Sequence, residues 1–228
     1  MVDWIYKHRP QSIDEMALYP ALRKRLNYYA SQTDFSHLLM AGDTGTGKTT
    51  AARILADLHG FDVIEHDCAQ EQKREDMLKL AKGSTSVSLW GGKKLYIMDE
   101  FHDVPKQAQK VFNKTMEDNA ERNLYVFCVN DVTAVAEPII SRCMTLYFDV
   151  GVINPKTNKL AMHDYTDFSK DEWVDELKRI GRLVAKKGDM EVSDAQLDKV
   201  ASVDVYLADP RRFIRALEEQ IKMDAVED

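Results

Sequence analysis

The segment Gly42-Asp43-Thr44-Gly45-Thr46-Gly47-Lys48-Thr49 fits the pattern G-x-x-x-x-G-K-[ST] at every position. It stands between a short apolar run, His37-Leu38-Leu39-Met40-Ala41, and an alanine-rich stretch of helical pattern. Strand, glycine-rich loop and helix in that order let backbone N–H groups surround phosphate oxygens. The glycines permit the tight fold, and the helix N-terminus adds partial positive charge. On this reading Lys48 neutralises the outer phosphates of a nucleotide and the Thr49 hydroxyl binds Mg²⁺. The rival reading, an ordinary glycine-rich turn, accounts for neither the eight matching positions nor the flanking elements.

The rest of the first 150 residues supports such a loop. Four further apolar runs follow: Phe61–His66, Lys94–Met98, Leu124–Val129 and Met144–Phe148. Runs apolar on both faces indicate strands of a parallel sheet covered by helices on both sides. Helix candidates lie between them at about 48–58, 72–82, 106–118 and 134–140. The alternation predicts an α/β three-layer domain over residues 1–150. Beyond it the pattern changes. Residues 151–168, with Gly151, Asn154-Pro155 and Asn158, suggest a turn-rich connector or small hairpin. Three helix-like stretches follow at about 169–187, 193–202 and 209–224, so residues 169–228 are expected to form a small helical domain. The first opens on Ser169-Lys170-Asp171-Glu172, a capping-box pattern.

Composition narrows the setting. Hydrophobic residues make up 44% of the chain and charged residues 30%, the balance of a globular protein. No apolar run approaches the roughly 20 residues needed to cross a bilayer, and the N-terminus has no signal-peptide pattern. Cys68, Cys128 and Cys143 are scattered and odd in number, which fits reduced thiols better than a disulfide framework. A cytoplasmic setting is expected. The net charge is −7, with both halves acidic, so any contact with nucleic acid must come from a local basic stripe.

Two other strand ends carry chemistry. Leu95-Tyr96-Ile97-Met98 runs into Asp99-Glu100, placing two carboxylates at the C-terminal end of a buried strand, where ligands of open α/β sheets bind. There Asp99 would hold the metal ion and Glu100 would orient or deprotonate an attacking water. Asn130-Asp131 closes the 124–129 strand. Its amide reads either as a γ-phosphate contact or as a turn-forming residue.

Together these residues resemble the AAA+ ATPases, and among them the clamp-loader ATPase subunits of the replication factor C small-subunit type. Trp4-Ile5-Tyr6-Lys7-His8-Arg9-Pro10 is similar to the W-x-x-K-Y-R-P opening of that family, which runs along the nucleotide base. Val104-Pro105-Lys106-Gln107-Ala108-Gln109, with Thr115-Met116-Glu117, resembles its A-Q-x-A-L-x-x-T-M-E helix. Ser141-Arg142-Cys143 matches its S-R-C motif, and Asp209-Pro210-Arg211-Arg212 is similar to sensor 2. The resemblance spans roughly residues 3–223. It implies a RecA-like domain followed by a helical lid, with ATP and Mg²⁺ bound under Gly42–Thr50 (Gly42, Asp43, Thr44, Gly45, Thr46, Gly47, Lys48, Thr49 and Thr50) near Arg9 and Pro10. Thr49 and Asp99 hold the metal, Glu100 activates water, and Asn130 and Arg211 sense the γ-phosphate. Arg142 acts as a finger into a neighbouring subunit's ATP.

The resemblance also implies partners: other AAA+ subunits in a homo- or hetero-oligomer, pentameric in the family, a sliding clamp, and primer-template DNA. The work implied is ATP-driven opening of the clamp and its placement on DNA. Lys106, Lys110 and Lys114 recur at i, i+4 and i+8, and Arg74, Lys79 and Lys82 extend them into a candidate DNA-tracking stripe. The plain alternative is a solvated helix face. Asp99-Glu100-Phe101-His102 departs from the usual Asp-Glu-Ala-Asp and, with Ser12-Ile13-Asp14-Glu15, looks closer to the large subunit of T4-type phage loaders; a phage source would make the setting a host cytoplasm. Pro210 within sensor 2 requires a first helical turn. The chain ends soon after the third lid helix, so no collar domain is expected. Two rival functions stand beside the loader: another AAA+ DNA-transaction ATPase, such as a helicase loader or branch-migration motor, and a non-hydrolysing structural subunit.

Overall fold

The computed structural model describes residues 4–70, 73–83 and 93–227. The chain begins with helices α1 (Trp4–Lys7) and α2 (Pro20–Ser31). Strand β1 (Leu38–Ala41) leads through the phosphate loop into α3 (Lys48–His59), followed by β2 (Asp62–Asp67), α4 (Arg74–Gly83) and β3 (Lys94–Asp99). Then come α5 (Lys106–Gln109), α6 (Val111–Asp118), β4 (Asn123–Val129), α7 (Glu137–Ile140) and β5 (Met144–Tyr147). A two-stranded ribbon, β6 (Gly151–Ile153) and β7 (Leu160–Met162), precedes α8 (Lys170–Lys187), α9 (Asp194–Ala201), α10 (Asp204–Leu207) and α11 (Pro210–Glu227). No helix among the described residues is long and apolar enough to cross a membrane.

These elements form two compact units. One comprises Leu26–Asp43 and Lys48–Phe148. It holds a five-stranded sheet of order β2-β3-β4-β1-β5, parallel throughout. β1 and β4 are buried along their whole length, which explains why they read as unbroken apolar runs. The edge strand β2 alternates in exposure instead. Phe101, Phe112, Tyr125 and Phe127 pack edge-to-face and stacked in the core, with ring centroids 4.5 to 6.0 Å apart. His37 is a buried link: its Nδ1 accepts from the Tyr125 N–H at 3.2 Å.

Two helices of this unit differ from the sequence expectation. The single helix at 106–118 is broken at Lys110 into α5 and α6. The buried Gln109 side chain accounts for the break. Its amide donates to the carbonyls of Val104 and Ala134 and accepts from the Ala136 N–H at 2.7 Å. Lys106, Lys110 and Lys114 are all exposed, and Lys110, itself in the right-handed helical region at φ −57°, ψ −20°, sits at the joint between α5 and α6. The stretch expected to be helical at 134–140 is a 3₁₀ turn at Val132–Ala134 followed by the short α7. Ala136 is extended there, held to Gln109, and Pro138 favours a helix beginning beside it.

The other unit comprises Met1–Arg25, Thr44–Gly47 and Asp149–Asp228. Residues 4–25, grouped with the sheet in the sequence reading, fall in this unit. The Trp4 N–H donates to the buried Glu218 carboxylate at 3.1 Å, and the indole lies against Gly188. α8 and α9 each begin with a complete capping box, Ser169 with Glu172 and Ser193 with Gln196. Trp173, Leu177, Leu197, Phe213 and Leu217 form the helical core. Gly181 lets these helices close, since a Cβ there would come within 2.8 Å of Leu217. Asp204, on the one-turn α10 that the sequence did not suggest, accepts from the Leu160 N–H and the Lys170 ammonium, tying the ribbon to the helices.

Candidate nucleotide-binding site

Because the sheet is parallel, β1, β3 and β4 deliver their C-terminal ends to one edge, and the neighbours there are adjacent strands. The phosphate loop follows β1, Asp99-Glu100 ends β3, and Asn130 follows β4. The loop turns on glycines at positive φ, +93° at Gly45 and +101° at Gly47, where a side chain is strained. At Gly45 space forbids one as well: a Cβ would lie 2.1 Å from the Asp209 carboxylate.

Lys48 opens α3 and is buried, with 6% of its surface exposed. A buried ammonium needs acceptors for its three protons. Its Nζ donates to the carbonyls of Gly42 and Asp43 and to Asn130 Oδ1, the last at 3.1 Å. The next residue, Thr49, donates its hydroxyl to Asp99 Oδ2 at 2.8 Å. Beneath them Cys128 is fully buried. Burial raises its thiol pKa, the Asp99 charge adds to that rise, and the thiol is therefore inert at neutral pH.

Glu100 sits at φ +52°, ψ +36°, a left-handed conformation that a non-glycine residue adopts at a cost of roughly 1–2 kcal/mol. Strain of this kind persists where surrounding contacts fix the residue. Here the Glu100 N–H donates to Asp99 Oδ1 at 3.1 Å, and the buried Phe101 anchors the following 3₁₀ turn. His102 lies 3.4 Å from Glu100 Oε2 and contacts Asn130. From the sequence, Phe101 and His102 read only as a partner-facing loop or as ordinary packing; the one signal of His102 is its position two residues beyond the acidic pair.

Lys48, Thr49, Asp99, Glu100 and Asn130 therefore meet within one unit. Arg142 does not join them. Two of its nitrogens, Nε and Nη2, donate to Glu117, and the third, Nη1, donates to the Pro138 carbonyl of its own chain. Arg9, Pro10, Thr44, Gly45, Thr46, Gly47 and Arg211 belong to the other unit, where Pro210 is the first residue of α11. Asp209 caps that helix, its Oδ1 accepting from the N–H groups of Arg211 and Arg212 at 2.8 and 3.2 Å. Asp43 and Thr44 are exposed, and Gly42 is buried. Of the basic residues expected to meet DNA, Lys79 is exposed and lies 3.6 Å from Asp76, while the side chains of Arg74 and Lys82 lie outside the described residues.

The donor set fits Mg²⁺. Among the described residues no group of three or more His, Cys, Asp or Glu side chains could hold a metal ion. One hydroxyl and one carboxylate are what a small, hard cation uses when phosphates and water complete its shell.

Residues 38–149 match the family of ATPases associated with various cellular activities (AAA). The chain is 32% identical over 151 residues to the replication factor C small subunit of Natronomonas pharaonis, covering 64% of this chain and 46% of that protein. It is 28% identical over 212 residues to the one of Haloarcula marismortui, covering 90% and 58%. The chain thus spans about half the length of these relatives. In fold it is similar to Thermotoga maritima RuvB, a Holliday junction branch migration motor, with a TM-score of 0.74 at 22% identity over 96% of this chain and 67% of that one. Its five-stranded parallel sheet with flanking helices is the RecA-like AAA+ fold. Residues 38–149 are an AAA ATPase domain, and the chain is a relative of the archaeal replication factor C small subunits.

Proposed function

We propose that this chain is an ATPase subunit of clamp-loader type, hydrolysing ATP to open a sliding clamp and place it on primer-template DNA. The observation that carries the reading is the convergence of Lys48, Thr49, Asp99, Glu100 and Asn130 on one sheet edge. Lys48 and the N–H groups of residues 42–50 hold the phosphates, and Arg9 and Pro10 border the base. Thr49 and Asp99 would hold Mg²⁺, which when bound would neutralise charge on the phosphate oxygens. Glu100 accepts a proton from the water that attacks the γ-phosphorus as the bond to the ADP oxygen breaks. Asn130 and Arg211 contact the γ-phosphate.

Arg142 completes the site of an adjacent subunit in an assembly of AAA+ partners, pentameric in clamp loaders, acting in the cytoplasm. Its contact with Glu117 is between partly exposed groups, so it is cheap to exchange. Exposed lysines, Lys79, Lys106, Lys110 and Lys114, with Arg74 and Lys82, supply salt-dependent contacts to the DNA backbone. The test is phosphate release by the chain with its partner subunits, with and without clamp and primed DNA. Stimulation by the clamp is expected. A rate that rises with DNA but ignores the clamp would instead favour a DNA motor or helicase loader.

A further inference from the structure

One side chain connects the residues assigned above to water activation and phosphate sensing. We propose that His102 is a positioning residue that holds the Glu100 carboxylate and ties its orientation to Asn130. The proposal rests on the reading of Glu100 as the group that activates water.

The ring is held from one side. Its Nδ1 faces the Asn130 backbone N–H at 3.4 Å, and a backbone N–H can only donate, so Nδ1 is the unprotonated nitrogen. The proton of the neutral ring is then on Nε2. That nitrogen lies 3.4 Å from Glu100 Oε2, with Asp103 Oδ1 farther off at 3.9 Å. In this tautomer the Asn130 side-chain amide nitrogen, 3.3 Å from the same Nε2, faces it donor to donor, so the ring is tied to Asn130 through the backbone N–H. Asn130 Oδ1 in turn accepts from Lys48. The contacts run unbroken from Lys48 through Asn130 and His102 to Glu100, all within the sheet unit.

Glu100 needs such a hold. Its side chain is one-third exposed, and its only described side-chain partner is His102. Its backbone is left-handed, so the carboxylate leaves the strand end in a direction set by a strained turn. Without the imidazole the carboxylate would spread over several rotamers, and a displacement of about 1 Å in a reacting group costs up to a hundredfold in rate.

The two shorter amides separate the contacts. Asn at 102 can replace Nδ1 but does not reach Glu100; Gln places its amide nitrogen where Nε2 stands. With the full chain, ATP affinity, KM, kcat for phosphate release and thermal midpoint are measured for His102→Ala, His102→Asn and His102→Gln. We expect kcat to fall at least tenfold in His102→Ala and His102→Asn, with KM and midpoint within twofold and a few degrees of the parent. His102→Gln should recover most of kcat. Equal kcat in the Asn and Gln variants, or losses that follow ATP affinity and melting, would overturn the proposal. Glu100→Gln keeps the two levels apart. If it abolishes release while His102→Ala does not lower it, only the role of His102 fails. If Glu100→Gln itself releases phosphate normally, the reading of the site fails.

Discussion

A buried lysine whose three protons all reach oxygen is stable without a carboxylate partner, and Lys48 is held in this way by two loop carbonyls and Asn130. Bound phosphate offers the same ammonium stronger, charged acceptors. ATP with Mg²⁺ at a hundred times its Kd should therefore stabilise the parent chain by about 2.7 kcal/mol. Lys48→Ala should remove that shift, as read by thermal unfolding with and without nucleotide; a shift that survives would detach Lys48 from the phosphates. Gln109 is the corresponding structural residue. Its amide satisfies two carbonyls and one N–H in the core, so Gln109→Leu should cost about 1–3 kcal/mol in urea denaturation through the groups left unpaired. An unchanged midpoint would mean that water reaches them.

At the scale of elements, the capping boxes fix where the helices of the C-terminal unit begin. Ser169 accepts from the Glu172 N–H at 3.2 Å and Glu172 returns a bond to the Ser169 N–H at 2.8 Å. Ser169→Ala should cost about 1 kcal/mol, measured as a urea midpoint; no change would mean the first turn frays. This cap was legible, because Ser-x-x-Glu precedes Trp173, Leu177 and Ile180 at helical spacing. So were the five strands, whose apolar runs lie within a residue or two of β1 to β5, and so was the glycine-rich turn between β1 and α3, where Gly45 and Gly47 take positive φ. The break at Lys110 was not legible. It comes from Gln109 bonding to residues 25 and 27 positions away, a tertiary demand that local pattern does not carry. His102 was hidden for the same reason, since its neighbour Asn130 is 28 residues distant and becomes adjacent only through the sheet order.

Across the whole molecule, each unit carries its own electrostatic signature. In the unit that holds the C-terminal helices, burial alone would raise the carboxyl of Glu176. The hydrogen bond and charge of Arg179, the charge of Arg23 and the Leu18 N–H outweigh it and hold the group below its ordinary value. Asp204 likewise is lowered against burial by Lys170 and the Leu160 N–H. A carboxylate whose folded pKa lies below its unfolded one stabilises the fold above about pH 4. That stability is lost as pH falls through the folded value. Stability should thus hold at neutral pH and decline below about pH 4, and Asp204→Asn should flatten the decline, as urea midpoints at neutral and acid pH will report. An equally steep decline in the variant would remove Asp204 as a cause.

In the sheet unit the charges converge instead on one edge, around Lys48, Asp99 and Glu100. There the decisive comparison is of ATP binding with phosphate release in Glu100→Gln. ATP affinity within about threefold of the parent, with release slowed by two or more orders of magnitude, as expected on loss of a general base, is the predicted result. Release at the parent rate would contradict it.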